Sequence, residues 1–180
     1  MALTAVMSAA ALLISALRVE VPFYPLVFLK FDFAEVPSVL AFTLAGPRWG
    51  YLCAVFHYAG LLSRGSDPLG PTMKFLAVVS MLAGMHAGGS RWKLALLCGM
   101  AVRAAAMALA NLVVLGLLFP HWLSYSIALL SAAGLKVSGW WDAMAMTIIL
   151  VSVYNCVHVL LSIIPAELIA REVRRRLGVE

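Results

Sequence analysis

Lys93-Leu-Ala-Leu-Leu-Cys-Gly-Met-Ala-Val-Arg103-Ala-Ala-Ala-Met-Ala-Leu-Ala-Asn111-Leu-Val-Val-Leu-Gly-Leu-Leu-Phe119 holds, after Lys93, one charged side chain and one amide in an otherwise apolar run. A helix crosses the hydrocarbon of a bilayer with about 20 mostly apolar residues, and this run is longer than that. The rest of the chain has the same character. Its 180 residues are 64% hydrophobic and only 12% charged, with a mean hydropathy of +1.00. That composition excludes an ordinary soluble globular domain and defines an all-α integral membrane protein.

Working outward from 93–119, the other candidate spans lie at about 2–17, 34–47, 49–63, 71–88 and 152–172, six in total. The apolar runs continue to the C-terminal region, so the first reads as a retained helix and not a cleaved signal. Gly46-Pro47-Arg48-Trp49-Gly50 separates two spans that are short for full crossings; Pro and Gly enforce the turn and Trp49 and Arg48 suit an interface. Between Pro120 and Val151 we expect an interfacial or re-entrant segment, with Trp140 and Trp141 in an aromatic belt. The whole chain is a single membrane domain, with 171–180 as a basic tail.

Lysine and arginine set the orientation, because cytoplasmic loops carry their excess. With six spans and the N-terminus inside, Arg48, Arg91, Lys93, Arg171, Arg174, Arg175 and Arg176 are cytoplasmic. Arg18, Lys30, Arg64 and Lys136 fall outside, and Lys74 and Arg103 fall within helices. Both termini are then cytoplasmic in a multi-pass cell-membrane protein. The net charge of +5 is concentrated in the terminal arginines, which read as a lipid-surface anchor and not as a nucleic-acid footprint. Cys53, Cys98 and Cys156 lie in apolar segments without metal-ligand spacing.

One stretch departs from the general apolarity: Phe28-Leu-Lys-Phe-Asp-Phe-Ala-Glu-Val-Pro37. Asp32 or Glu35 with Pro37 reads as the start of the second helix, since acids complement a helix N-terminus and Pro is tolerated in its first turn. Phe28, Phe31 and Phe33 suit either an interfacial anchor or stacking on a flat ligand. Ionisable and amide groups inside spans are functional candidates by default. By the orientation above, His57, Lys74, Asn111, Asn155 and His158 lie toward the outer half, beneath that loop, while Arg103 lies toward the inner half. Hydrogen bonding between helices is the plainer account of each; together they describe an apolar pocket with a few orienting groups. His57, His86, His121 and His158 lack ligand spacing for a metal, and the chain contains no HExxH, GxSxG or P-loop pattern.

Five stretches, in order, resemble the substrate-binding (S) components of energy-coupling factor vitamin transporters, the riboflavin-type members in particular. They are Ala5-Val-Met-Ser-Ala9, Phe28 to Pro37, Gly70-Pro-Thr-Met-Lys-Phe-Leu-Ala77, Asn111 ahead of Pro120, and Tyr154-Asn155-Cys-Val-His158. The resemblance implies a six-helix bundle that captures a vitamin from outside. It also implies docking through Ala5 and Ala9 on a transmembrane coupling subunit driven by two ATPase subunits, with no cofactor and no catalysis. Binding would fall to Lys30, Phe31, Asp32, Phe33, Lys74, Asn111, Tyr154, Asn155 and His158, with Phe31 and Phe33 closing over or stacking on a flat ring. The family pattern has an amide at Lys74, a Pro at Val153 and a Lys at His158, so riboflavin is the leading ligand within a class of flat heteroaromatic vitamins. Two other readings remain open at this stage: an intramembrane enzyme using His57 or His158, and a structural membrane subunit.

Overall fold

A computed structural model describes residues 2–65 and 67–178. Its helices are α1 (Ala2–Leu17), α2 (Val36–Ala45), α3 (Pro47–Leu62), α4 (Leu69–Gly88), α5 (Trp92–Val113), α6 (Trp122–Ala132) and α7 (Trp140–Leu177). A π-helical turn, Val114–Leu118, prolongs α5. Between α1 and α2, Val21–Pro22 (β1) and Lys30–Phe31 (β2) pair antiparallel, Val21 opposite Phe31.

The breaks in the apolar runs fall where the backbone demands them. Gly46, at φ +105°, sits where L side chains are strained and reverses the chain between α2 and α3. Pro37 and Pro47 occupy first turns, where a missing N–H costs no hydrogen bond. The candidate spans at 2–17, 34–47, 49–63, 71–88 and 93–119 correspond to α1 to α5 with the π-turn.

The last helix differs from the expected 152–172. It runs unbroken through 38 residues, with Trp140 and Trp141 in its first turn. No Gly or Pro interrupts the sequence from Trp140 to Ile164, and Asp142 complements the dipole at the helix start. The stretch 120–151, expected to be interfacial or re-entrant, is instead α6, a loop and the first turns of α7. The basic cluster is also helical as far as Leu177, with Glu167 pairing with Arg171 and Glu172 with Arg175 and Arg176. Val179 and Glu180, the end of the expected tail, lie outside the described residues.

The bundle packs α4 on α5, α5 on α7, and α2 and α3 against α1, α4 and α7. Gly84 and Gly88 make the α4–α5 crossing close: a Cβ on Gly84 would lie 2.3 Å from the Cys98 carbonyl oxygen, and one on Gly88 2.5 Å from Ala95 Cα. Val39, Met81, Leu82, Val159 and Ile163 fill the core between them. Near the C-terminal end of α7, Arg174 Nη2 donates to the Thr43 carbonyl at 2.9 Å and ties α7 to α2.

The outer faces are apolar as well. Leu97, Leu109, Leu117, Ile149 and Leu168 are each more than half exposed. A soluble monomer rarely presents that much contiguous apolar surface; acyl chains solvate it without cost. Trp92–Leu118 and Trp140–Leu177 are each long and apolar enough to cross a membrane.

Replacing Gly84 with Val will force α4 and α5 apart and lower the melting temperature in detergent, an overpacking loss of about 1–3 kcal/mol. Gly139→Ala, where nothing lies within 4 Å of the added Cβ, will leave the melting temperature nearly unchanged.

Candidate ligand-binding cavity

The segment between α1 and α2 folds over one end of the bundle and is fixed there by polar contacts to two helices. Tyr154 Oη donates to the Lys30 carbonyl at 2.6 Å. His158 Nε2 donates to the Asp32 carbonyl at 3.1 Å. The Asp32 carboxylate divides its two oxygens: Oδ1 accepts the Ala34 N–H at 2.8 Å, and Oδ2 takes the Lys74 ammonium from α4. Leu26, wholly buried, packs beneath the segment against Ala77, Met107, Leu130 and Val151.

Glu35 follows at once. It makes no side-chain cap to α2, contrary to the capping reading of its position. Its carboxylate turns inward and binds the Arg103 guanidinium through both oxygens, Nη1 to Oε2 and Nη2 to Oε1, the latter at 3.0 Å. Both side chains are about 1% exposed. Ser162 Oγ donates to Glu35 Oε2 at 3.1 Å, and Arg103 Nε donates to Asn155 Oδ1 at 2.9 Å. Asn155 returns its own Nδ2 proton to the Val151 carbonyl.

The His158 ring is bonded on both nitrogens. Nε2 faces a carbonyl oxygen and must carry a proton. Nδ1 lies 3.3 Å from Arg103 Nη2. Nδ1 also lies 3.0 Å from Tyr154 Oη, whose proton goes to the Lys30 carbonyl, and Nε2 lies 3.8 Å from Glu35 Oε1.

These groups form one wall of a cavity of about 620 Å³, inside the usual range for small-molecule sites. The polar wall includes Asp32, Lys74, Arg103, Asn155 and His158. The apolar wall is built from the same helices, with Met73 and Ala77 near Lys74 on α4, Met107 one turn from Arg103 on α5 and Val151 one turn from Asn155 on α7, joined by Val114 and Leu115. The π-turn contributes to this apolar wall: its wider coil buries the consecutive Val114 and Leu115 while Leu117 and Leu118 face outward. Trp122, Tyr125 and Ser126 from α6, with Phe28 from the loop, line the remaining side. The space therefore suits a flat ring with one hydrogen-bonding edge.

Of the residues singled out in the sequence, Lys30, Asp32, Lys74, Asn111, Tyr154, Asn155 and His158 line this cavity. Phe31 and Phe33 do not. Phe31 stacks on Tyr154 at 4.8 Å and meets His158 edge-on at 5.7 Å, so it buttresses the polar wall from behind. Phe33 is half exposed on the outside. His57 bonds Ser15 at 2.8 Å between α1 and α3, outside the lining. Ala5 and Ala9 lie on the exposed face of α1. Among the described residues no group of three or more His, Cys, Asp or Glu is placed to hold a metal ion.

Sequence reasoning missed Glu35 and Arg103 as a pair, and missed α6. Arg103, assigned there to the inner half, reaches the cavity. A signal was available, since a lone arginine inside a span requires a counter-ion and Glu35 is the acid nearest a span start. The α6 contribution had none, because Trp122, Tyr125 and Ser126 meet the cavity only through the return of the chain from α5 to α7.

The fold is that of a known transporter subunit: a solved structure described as the S component of a bacterial ECF transporter superposes with a TM-score of 0.72, over 97% of this chain and 95% of that one, at 23% identity. At the level of sequence, the riboflavin transporter RibU of Staphylococcus aureus (strain TCH60) is 37% identical over 82 residues. That match spans 45% of this chain and 43% of the relative, less than half of either. No family model matches the chain. The fold and the partial relative lie in the same direction as the motif resemblance.

Arg103→Leu will strand the Glu35 carboxylate in an apolar interior and cost about 3–5 kcal/mol, the usual penalty for breaking a buried pair. Adding Glu35→Leu to that variant will recover much of the loss, read as melting temperature in detergent.

Proposed function

We propose that this chain is the membrane-embedded substrate-capture subunit of an energy-coupling factor importer, and that it binds riboflavin or a related flat heteroaromatic vitamin from outside the cell. The observation that carries this reading is a largely apolar cavity with a few polar groups in its lining, enclosed by a fold shared with an S component. The partial identity to a protein named as a riboflavin transporter supports the ligand class. Asn111, Asn155, His158 and Lys74 meet the polar edge of the ring, and the apolar wall takes its hydrocarbon edge. Phe31 and Tyr154 hold the segment over the site.

In this reading α1 to α5 and α7 are the six spans, with both termini cytoplasmic and α6 an outer-face helix beside the cavity mouth. The ten-residue α2 rises only about 15 Å, so its crossing is completed by the buried Ala34 and Glu35 at its start. The exposed small-residue face of α1, with Ala5 and Ala9, docks on a coupling subunit driven by two separate ATPase subunits. Small residues four apart let helices approach closely in lipid, where no hydrophobic drive exists between them. Capture and docking require no covalent chemistry.

Protein purified in detergent will carry or take up a flavin, seen as yellow absorbance and as a mass in the extracted ligand. Recovery of lipid alone, with no riboflavin-dependent fluorescence change, would overturn the reading. Asn155→Ala and His158→Ala will each weaken riboflavin binding by about tenfold or more, the equivalent of a lost buried hydrogen bond. Ala5→Trp will retain binding in detergent and lose uptake in cells that contain the ATPase subunits.

A further inference from the structure

The charges around the cavity are almost fully matched. Arg103 is held by Glu35 and Lys74 by Asp32, and Lys30, at the rim, by Glu20 at 2.7 Å. These are the only three Lys or Arg side chains in the lining, and each is taken by a carboxylate. One charged group remains, Asp67, which is exposed and lines the same cavity. Among the described residues it has no ion-pair partner; its Oδ1 accepts only the Leu69 N–H, at 3.3 Å. With three cations against four carboxylates, the lining carries one net negative charge. The count takes the imidazole of His158 as neutral.

An anionic ligand group entering this cavity finds no free cation. To gain one it must displace a carboxylate: stranding Glu35 or Asp32 in a partly desolvated wall is unfavourable, and taking Lys30 at the exposed rim releases Glu20 as a second free carboxylate beside the mouth. Otherwise it stays at the mouth, facing Asp67. A phosphate monoester carries about −1.5 to −2 charge at pH 7, whereas a ring with a hydroxylated tail carries none and bonds to the paired groups without parting them.

We infer that Asp67 is a specificity-determining residue at the cavity mouth, selecting the uncharged form of the heteroaromatic ligand over its phosphate monoester. This inference rests on the flavin-class reading above and extends it to the charge state of the ligand. Because Asp67 is exposed, its effect is screened by salt, unlike a steric filter.

The test is fluorescence titration of the full chain in detergent with riboflavin and with riboflavin 5′-phosphate, at low and at high salt. Riboflavin will bind at least about tenfold more tightly at low salt, a preference of the size expected for like charges across a poorly screened mouth. The ratio of the two affinities will fall in Asp67→Asn and fall further, by about fivefold or more, in Asp67→Lys, with a smaller change at high salt. Binding of riboflavin with a ratio near one in the unaltered protein would overturn this inference and leave the proposed function standing. A large ratio unmoved by either substitution or by salt would assign the exclusion to shape and remove the role of Asp67. Failure to bind either compound would instead overturn the proposed function itself.

Discussion

Arg103 is the largest fully buried side chain in the protein, a permanent charge set among apolar helices. Removing such an ion from water costs several kcal/mol, and the cost is offset only if every polar edge of the guanidinium finds a partner. Glu35 supplies two acceptors, Asn155 a third and His158 a fourth. Those partners come from the start of α2 and from the middle of α7, while Arg103 comes from α5. One side chain thus holds three elements in register, and the cavity is bounded by that arrangement.

The loop position follows from the same constraint. Glu35 cannot reach Arg103 unless the chain leading into α2 descends into the bundle, which brings Asp32 within reach of Lys74 and its carbonyl within reach of His158. Tyr154, one helical turn before His158, then meets the Lys30 carbonyl. The segment above the cavity is therefore held by contacts that continue a buried ion-pair network. Its aromatic residues take supporting positions: Phe31 stacks behind Tyr154 and leaves the cavity to the polar atoms.

The apolar wall has a different origin. Met73, Ala77 and Met107 come from the facing surfaces of α4 and α5, which Gly84 and Gly88 draw together at the opposite end of the crossing. The two helices are thus in backbone contact near one end and leave room for a cavity near the other. The π-turn after Val113 adds one more apolar patch. Close packing at one end and an open space at the other are the geometry expected of a rigid body that presents a preformed site.

The sequence by itself determined the membrane class, the limits of the first five helices and the membership of most of the polar wall. Those properties depend on apolar run length, on Gly and Pro breaks and on the cost of polar groups in hydrocarbon, all of which are local. Lys74, Asn111, Asn155 and His158 were legible because each is an anomaly within its own helix. The tertiary structure decided what no local pattern encodes. It paired Glu35 with Arg103 across 68 positions, and it turned Phe31 and Phe33 out of the cavity while bringing α6 to its mouth. Among the described residues of the cavity lining, it also left Asp67 as the carboxylate without a cation. Each of these outcomes depends on which distant charge or ring a side chain meets, and that is set by how the helices cross.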